Sequence, residues 1–203
     1  MADVSVRAAR EGDADEIGRI QVETWRTGYG SILPDPVLQS LTPELAAAAW
    51  RDAVLEPPSP RHHVLVAQEQ TWTVGFAGFG PAADTVAAEP PTGDADPAED
   101  AASAEDSAPA EDAVPEGTIE ISPLLVEPRW GRRGHGSRLL AAVVDHARAD
   151  GMQRAIVWIP EADTASREFY LSAGWAPDGL VRALDTGAGE LREVRLHVSL
   201  AES

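Results

Sequence analysis

The chain has 203 residues, a formal net charge of −18 and no cysteine. Without cysteine it can form no disulfide, no thiolate metal site and no cysteine nucleophile. Its length is that of one domain with some additional chain, and its acidity argues against binding to nucleic acid. No stretch approaches the roughly 20 apolar residues of a membrane-spanning helix, so we expect a soluble, cytoplasmic protein with no membrane partner.

The negative charge is concentrated in one stretch of the chain. Residues 84–116 contain eleven acids and no arginine, which leaves 23 acids elsewhere against 16 arginines. The surrounding segment, 81–117, is rich in alanine and proline and contains no aromatic residue. Such a segment buries too little apolar surface to offset the entropy of ordering, so we expect a disordered acidic insertion over 81–117.

The first half of the chain contains strand and helix patterns in turn. Alternating valines at the N-terminus predict a short strand, and helical periodicity predicts a helix over residues 13–28. Two further helix starts, each a polar residue followed by proline, lie within residues 35–55. Residues 63–67 and 72–79 are typical of two strands joined by a polar turn.

The second half alternates strands with helices. An apolar run over 119–126 leads through a loop of glycine and arginine into a helical pattern that ends at Gly151. Beyond it, the pattern predicts a strand, a short helix and two strands, over residues 155–159, 163–173, 179–184 and 194–200. The order β-α-α-β-β-insertion-β-α-β-α-β-β predicts a mixed α/β layer fold.

The junction between the run 119–126 and the following helix is a predicted anion site. The first N–H groups of a helix have no partner inside it, and the helix dipole favours negative charge there. Gly134 and Gly136 leave room for an anion near the backbone, and three arginines add positive charge: Arg132, Arg133 and Arg138. The loop lacks the lysine of a P-loop and the third glycine of a dinucleotide fingerprint. A different phosphate-bearing ligand is therefore indicated.

The order of elements and two motifs resemble the GNAT family of N-acetyltransferases, including many bacterial members. The family loop has Arg or Gln, two residues, Gly, one residue, then Gly or Ala; here the window Gly131–Gly136 reads GRRGHG, with Gly131 at the Arg or Gln position. The second family motif is Asn, five residues, Phe-Tyr, three residues, Gly-Phe. The segment Asp163–Trp175 is similar, with aspartate for the Asn and tryptophan for the last Phe. The resemblance covers nearly the whole chain except the insertion.

This resemblance implies a single N-acetyltransferase domain over residues 1–203, with the acidic insertion between strands 3 and 4. It implies a GNAT-like, mostly antiparallel central sheet with helices on both faces. Acetyl-CoA would be the co-substrate, no metal is needed, and the acceptor would be a small-molecule or peptide amine. A homodimer is expected from the family alone. The backbone of Leu125 and Val126 would bind the pantetheine arm of CoA, and its pyrophosphate would be held by Arg132, Arg133, Gly134, His135, Gly136 and Ser137.

Two side chains are catalytic candidates through the resemblance. Tyr170 would protonate the departing CoA thiolate, and Glu120 would accept a proton from the amine, directly or through water. Each has a plainer alternative. An aromatic pair such as Phe-Tyr on a short helix often only packs in the core, and a glutamate on a strand is often simply exposed.

Four other residues are weaker candidates for contacts with substrate. Asp163 is included among the CoA-binding candidates, although its position favours the N-cap of the short helix. Trp25, Tyr29 and Trp72 are candidates for lining the acceptor pocket, with core packing as the alternative.

Two other functions compete with N-acetyl transfer to a primary amine by direct attack. The chain could be a non-catalytic acyl-CoA-binding sensor of the same fold, in which Tyr170 and Glu120 are incidental. It could also be an interaction domain that uses its acidic segment and has no affinity for CoA. As part of an enzyme, the acidic segment would attract cationic acceptors over long range, an effect that salt would screen.

Overall fold

The structure, a computed structural model, describes residues 4–83 and 114–201. This part of the chain contains seven β-strands and five α-helices: β1 Val4–Ala8, α1 Ala14–Gly28, α2 Asp35–Ser40, α3 Pro43–Leu55, β2 His63–Glu69, β3 Trp72–Pro81, β4 Thr118–Val126, α4 His135–Ala149, β5 Arg154–Pro160, α5 Thr164–Ser172, β6 Ala176–Asp185 and β7 Glu190–Ser199. None of these helices is long and apolar enough to cross a membrane.

All seven strands form one sheet in the order β1-β2-β3-β4-β5-β7-β6. Only β4 and β5 pair in parallel, while the other neighbouring strands are antiparallel. On one face, Ile17 and Ile20 of α1 pack with Phe76 of β3. On the other face, Leu139 and Val143 of α4 belong to a larger core cluster that also contains Tyr170 of α5. The predicted mixed, mostly antiparallel sheet with helices on both faces is confirmed.

The two parallel strands diverge along their length. Their pairing covers residues 118–121 of β4 and 154–157 of β5. Beyond it, β4 continues to pair with β3 as far as Val126, and β5 continues to pair with β7 as far as Pro160. A wedge therefore opens between the C-terminal halves of β4 and β5, and it is the feature that positions the candidate site.

The divergence begins at an irregularity in β4. Between two paired positions, β4 advances three residues, from Ile121 to Leu124, while β3 advances two. The extra residue lies at Ser122–Pro123, where the peptide bond is cis. Because proline has no N–H to donate to a neighbouring strand, this is a position at which regular pairing is interrupted.

The elements agree with the sequence prediction apart from their ends. The predicted helical region over 35–55 consists of two separate helices, α2 and α3, and Thr42 caps the second by accepting a hydrogen bond from the N–H of Leu45. Pro81 still belongs to β3 and pairs with Ile119, so this strand extends one residue into the predicted insertion. Most of that insertion, residues 84–113, lies outside the described residues.

Candidate functional site

The N-terminus of α4 presents unpaired backbone donors. Gly134 is the N-cap residue, and its φ of +81° is a left-handed conformation that favours glycine. The first helical hydrogen bond joins the Arg138 N–H to the Gly134 carbonyl at 3.1 Å. In the described part of the chain, no acceptor pairs with the N–H groups of His135, Gly136 and Ser137. The local geometry is therefore that of an anion site at a helix N-terminus.

Glu69, at the end of β2, contacts two side chains of this loop. One of its carboxylate oxygens lies 2.9 Å from His135 Nε2, and the other accepts a hydrogen bond from Arg133 Nη1 at 3.2 Å. The His135 side chain is 0% exposed, so its imidazole is not accessible to a ligand at the loop. Sequence reasoning missed Glu69, because it is 64 residues or more from its partners and no local pattern connects them.

The three loop arginines differ in the contacts that their guanidinium groups make with other residues. The Arg133 guanidinium lies 4.9 Å from the centre of the Trp130 ring, and Arg138 donates to the Arg133 carbonyl at 3.0 Å. Arg132 is exposed, has a φ of +60°, and makes no ion pair with another described residue. Of the three, Arg132 is the side chain most available to a phosphate.

The backbone of β4 faces the wedge at alternate residues. Glu127 donates its N–H to the Val74 carbonyl of β3 at 2.9 Å. The backbone N–H and C=O groups of successive residues point to opposite sides of an antiparallel strand. Those of Leu125 therefore also point to β3, whereas those of Leu124 and Val126 point into the wedge. This orientation argues against the predicted contact of Leu125, adds Leu124 to the candidates and leaves Val126 as a prediction.

A cavity of about 280 Å³ occupies the wedge and the adjoining surface. It brings together Glu120 of β4 and Tyr170 of α5, the two catalytic candidates. It is also lined by Trp25 of α1 and by Tyr29, the residue that follows α1. The prediction for Trp72 is wrong, because this residue begins β3, is 55% exposed and lies outside the cavity.

Tyr170 is buried at the base of this cavity. Its side chain packs edge-on against Phe169 and Trp175, and the residue is 4% exposed. Within the described residues its hydroxyl has no hydrogen-bond partner. Burial raises the pKa of Tyr170 well above that of an ordinary phenol, so the hydroxyl keeps its proton at neutral pH and can donate a hydrogen bond, while the same shift makes it a weaker acid towards a thiolate.

Asp163 caps α5, as its position predicts. One carboxylate oxygen accepts a hydrogen bond from the Ser166 N–H at 3.0 Å, and the other accepts from the Tyr29 hydroxyl at 2.8 Å. The second bond ties the end of α1 to the start of the helix that carries Tyr170. The N-cap prediction is confirmed, whereas a contact between Asp163 and CoA remains a prediction.

Glu120 is partly buried among charged groups. Burial raises the pKa of its carboxyl, and the nearby Arg182 opposes that shift. The Arg182 Nη1 atom lies 3.9 Å from Glu120 Oε1, and its Nε donates to Glu193 at 2.7 Å. A carboxyl with a raised pKa is closer to the range in which a general base can exchange protons near neutral pH.

Glu127 directly follows β4 and lies between the wedge and the loop. The residue is 1% exposed, receives two hydrogen bonds of 3.1 Å from Arg19, and lies 2.8 Å from Arg129 Nε. Burial disfavours its charged form, but the bonds from Arg19 and Arg129 outweigh that effect and hold the pKa of this carboxyl below its usual range. Sequence reasoning missed this contact, which joins Arg19 of α1 to the residue that follows β4, 108 residues away.

Comparison with known proteins identifies the family. The family model described as acetyltransferase (GNAT) family matches residues 22–175, more than half of the chain. The chain belongs to this family. The resemblance noted from the loop and the Phe169–Tyr170 motif is thereby confirmed. The described residues include no group of three or more histidines and acids that could hold a metal ion.

One curated relative and several solved structures are similar to this GNAT chain. The uncharacterized N-acetyltransferase YuaI of Bacillus subtilis strain 168 is 37% identical over 79 residues, which cover 38% of this chain and 42% of YuaI. The chain thus spans less than half of that relative in the match.

Two solved structures share the fold over nearly the full length. The PaiA N-acetyltransferase of Thermoplasma acidophilum, in complex with coenzyme A, has a TM-score of 0.68 at 12% identity and covers 97% of this chain and 99% of its own. YncA of Salmonella typhimurium, solved with acetyl-CoA, has a TM-score of 0.62 at 19% identity and covers 98% and 95%. At these identities the similarity shows the fold alone.

Proposed function

We propose that this protein is an acetyl-CoA-dependent N-acetyltransferase that passes the acetyl group directly to a primary amine in a ternary complex. The observation that carries the proposal is the combination of a wedge between β4 and β5 with an open helix N-terminus. The free N–H groups of His135, Gly136 and Ser137 suit the CoA pyrophosphate, with Arg132 beside them. The backbone of Leu124 and Val126 suits the amide groups of the pantetheine arm.

Over the reaction the ammonium group loses two protons and the sulfur gains one. A primary amine has a pKa near 10 and is almost wholly protonated at pH 7, so Glu120 would accept its proton, directly or through water. The neutral nitrogen attacks the thioester carbonyl carbon and forms the C–N bond, and the C–S bond then breaks.

The departing thiolate takes the proton of the Tyr170 hydroxyl, which solvent replaces. Glu120 releases the first ammonium proton to solvent and then accepts the second one from the intermediate, which also passes to solvent. The net reaction converts an ammonium ion and acetyl-CoA into an amide, free CoA and one proton. The absence of cysteine agrees with direct transfer, since no acetyl-cysteine can form.

An acceptor screen tests the proposal. The full chain is incubated with acetyl-CoA and a panel of primary amines, and thiol release is followed together with the mass of the amine product. We expect saturable acetyl-CoA binding and at least one amine that gains one acetyl group. Saturable binding without transfer to any amine would contradict the proposal and favour an acyl-CoA sensor.

A further inference from the structure

The acceptor side of the cavity has a mainly apolar wall. Side chains from α1, from the segment after it and from three strands contribute to it: Trp25, Leu33, Val37, Trp158, Leu184 and Leu191. Burial of apolar surface against such a wall stabilises a complex by roughly 25 cal/mol per Å². The wall therefore suits an acceptor with an apolar body.

The charged lining of the same cavity is anionic in sum. It consists of two carboxylates, Glu120 and Glu193, and one guanidinium, Arg182. Arg182 is already committed, because it binds Glu193 at 2.7 Å, lies 3.9 Å from Glu120 and stacks 4.5 Å from the centre of the Trp158 ring. One negative charge is left over, which favours a cationic ligand.

A second arginine nearby is also engaged. The guanidinium of Arg195 lies 5.6 Å from the centre of the Trp158 ring, and its Nε donates a hydrogen bond to Asp178 at 2.8 Å. Arg195 is buried and is not part of the described cavity lining. Within the described residues, Arg182 is thus the one arginine that lines the cavity, and its Nε is already bound to Glu193.

We propose that the acceptor is a primary amine on an apolar body that carries no carboxylate next to the amine. The inference rests on the proposed N-acetyl transfer and names its substrate class. The ammonium group would be drawn to Glu120, the base, and the apolar body would lie against the wall. A carboxylate on the adjacent carbon would meet Glu120 and Glu193 instead, and like charges placed together in a partly buried site are costly.

Matched pairs of amines test this inference with the full chain and acetyl-CoA. Tryptamine is compared with tryptophan, and phenethylamine with phenylalanine, because each pair differs only in the carboxylate. We expect kcat/KM to be at least about 30-fold higher for the amines without a carboxylate. Ethanolamine, which has a polar body, should also be a poor acceptor. An equal or higher kcat/KM for the amino acids, or for ethanolamine, would overturn the inference.

A variant shows whether the commitment of Arg182 causes this preference. Glu193→Gln removes the carboxylate that binds Arg182. The ratio of kcat/KM for tryptamine to kcat/KM for tryptophan should therefore fall about fivefold. Glu161→Gln is the matched control, since Glu161 pairs with the exposed Arg192 outside the cavity and should leave the ratio unchanged. An unchanged ratio in Glu193→Gln would contradict the role given to Arg182.

The two proposals fail in different ways. Transfer to tryptophan and phenylalanine in preference to their amines would refute the substrate class and leave N-acetyl transfer standing. Binding of acetyl-CoA without transfer to any member of the panel would refute both.

Discussion

The loop before α4 and the cavity between β4 and β5 are the two parts of the proposed site, and they are built in different ways. The loop uses backbone N–H groups from consecutive residues, 135–137, at the start of one helix. The cavity uses side chains such as Glu120, Tyr170 and Arg182, which come from three separate elements. The difference suggests a division of labour, in which the loop binds acetyl-CoA and the cavity selects the amine and moves protons.

The largest expected effect comes from filling the loop. A Cβ atom at Gly136 would lie 3.4 Å from the Phe169 ring, so the larger side chain of Gly136→Val must displace that ring or cover the anion site. We expect the Kd for acetyl-CoA to rise about 100-fold, or about 2.7 kcal/mol, with the amine KM little changed. Calorimetric titration measures the first quantity and initial rates the second.

A matched control for that variant is Gly28→Val. Gly28 is also helical, and nothing lies within 4 Å of a Cβ atom built there. Its Kd for acetyl-CoA should match the wild type. If both variants bind acetyl-CoA normally, the loop does not hold the pyrophosphate.

The next effect separates chemistry from binding. Tyr170→Phe removes the proposed proton donor while keeping the ring in its packed position, so kcat should fall about 30-fold with the Kd for acetyl-CoA unchanged. Tyr29→Phe serves as the comparison, because the Tyr29 hydroxyl lines the same cavity but is bound to Asp163. If kcat survives in Tyr170→Phe, another group protonates the thiolate.

A third variant tests the base through the dependence of activity on pH. Glu120 acts as a base only when ionised, and its raised pKa means that activity is lost at a higher pH than for an ordinary glutamate as the solution is acidified. We expect Glu120→Gln to lower kcat/KM about tenfold at pH 7 and to flatten the acid limb of the profile. A variant profile that superimposes on the wild type would exclude this role.

The smallest expected effect concerns the ion pair between Glu127 and Arg19, next to both the loop and the cavity. Glu127→Gln keeps one acceptor for Arg19 but loses the charge, so unfolding in urea at pH 7 should cost about 1 kcal/mol less than for the wild type. Since the pKa of Glu127 is lowered in the folded state, its contribution is present at neutral pH and fades as the pH falls through that value. The difference between the two proteins should therefore begin to shrink only as the pH falls below about 4.5, and it should continue to shrink below pH 4. A difference that stays constant with pH would argue against a charged Glu127.

The same contrast explains what the sequence could predict. The loop, the Asp163 cap and the order of the strands are signalled by neighbouring residues, and they agree with the structure. The contacts of Glu127 with Arg19 and of Glu69 with the loop join residues that lie 64 to 108 residues apart. The wedge depends on strand pairings between residues that are also distant in sequence, such as Thr118 and Arg154. Hydrophobic periodicity carries no information about such pairs. The alternation that turns Leu125 away from the wedge also depends on the register with β3.

Initial rates measured with acetyl-CoA and one apolar amine, both varied, test most directly whether the loop and the cavity act on two substrates held at once. Direct transfer predicts double-reciprocal lines that intersect, because both substrates must be bound before the acetyl group moves. Parallel lines would indicate an acetylated form of the protein between two half-reactions and would contradict direct transfer.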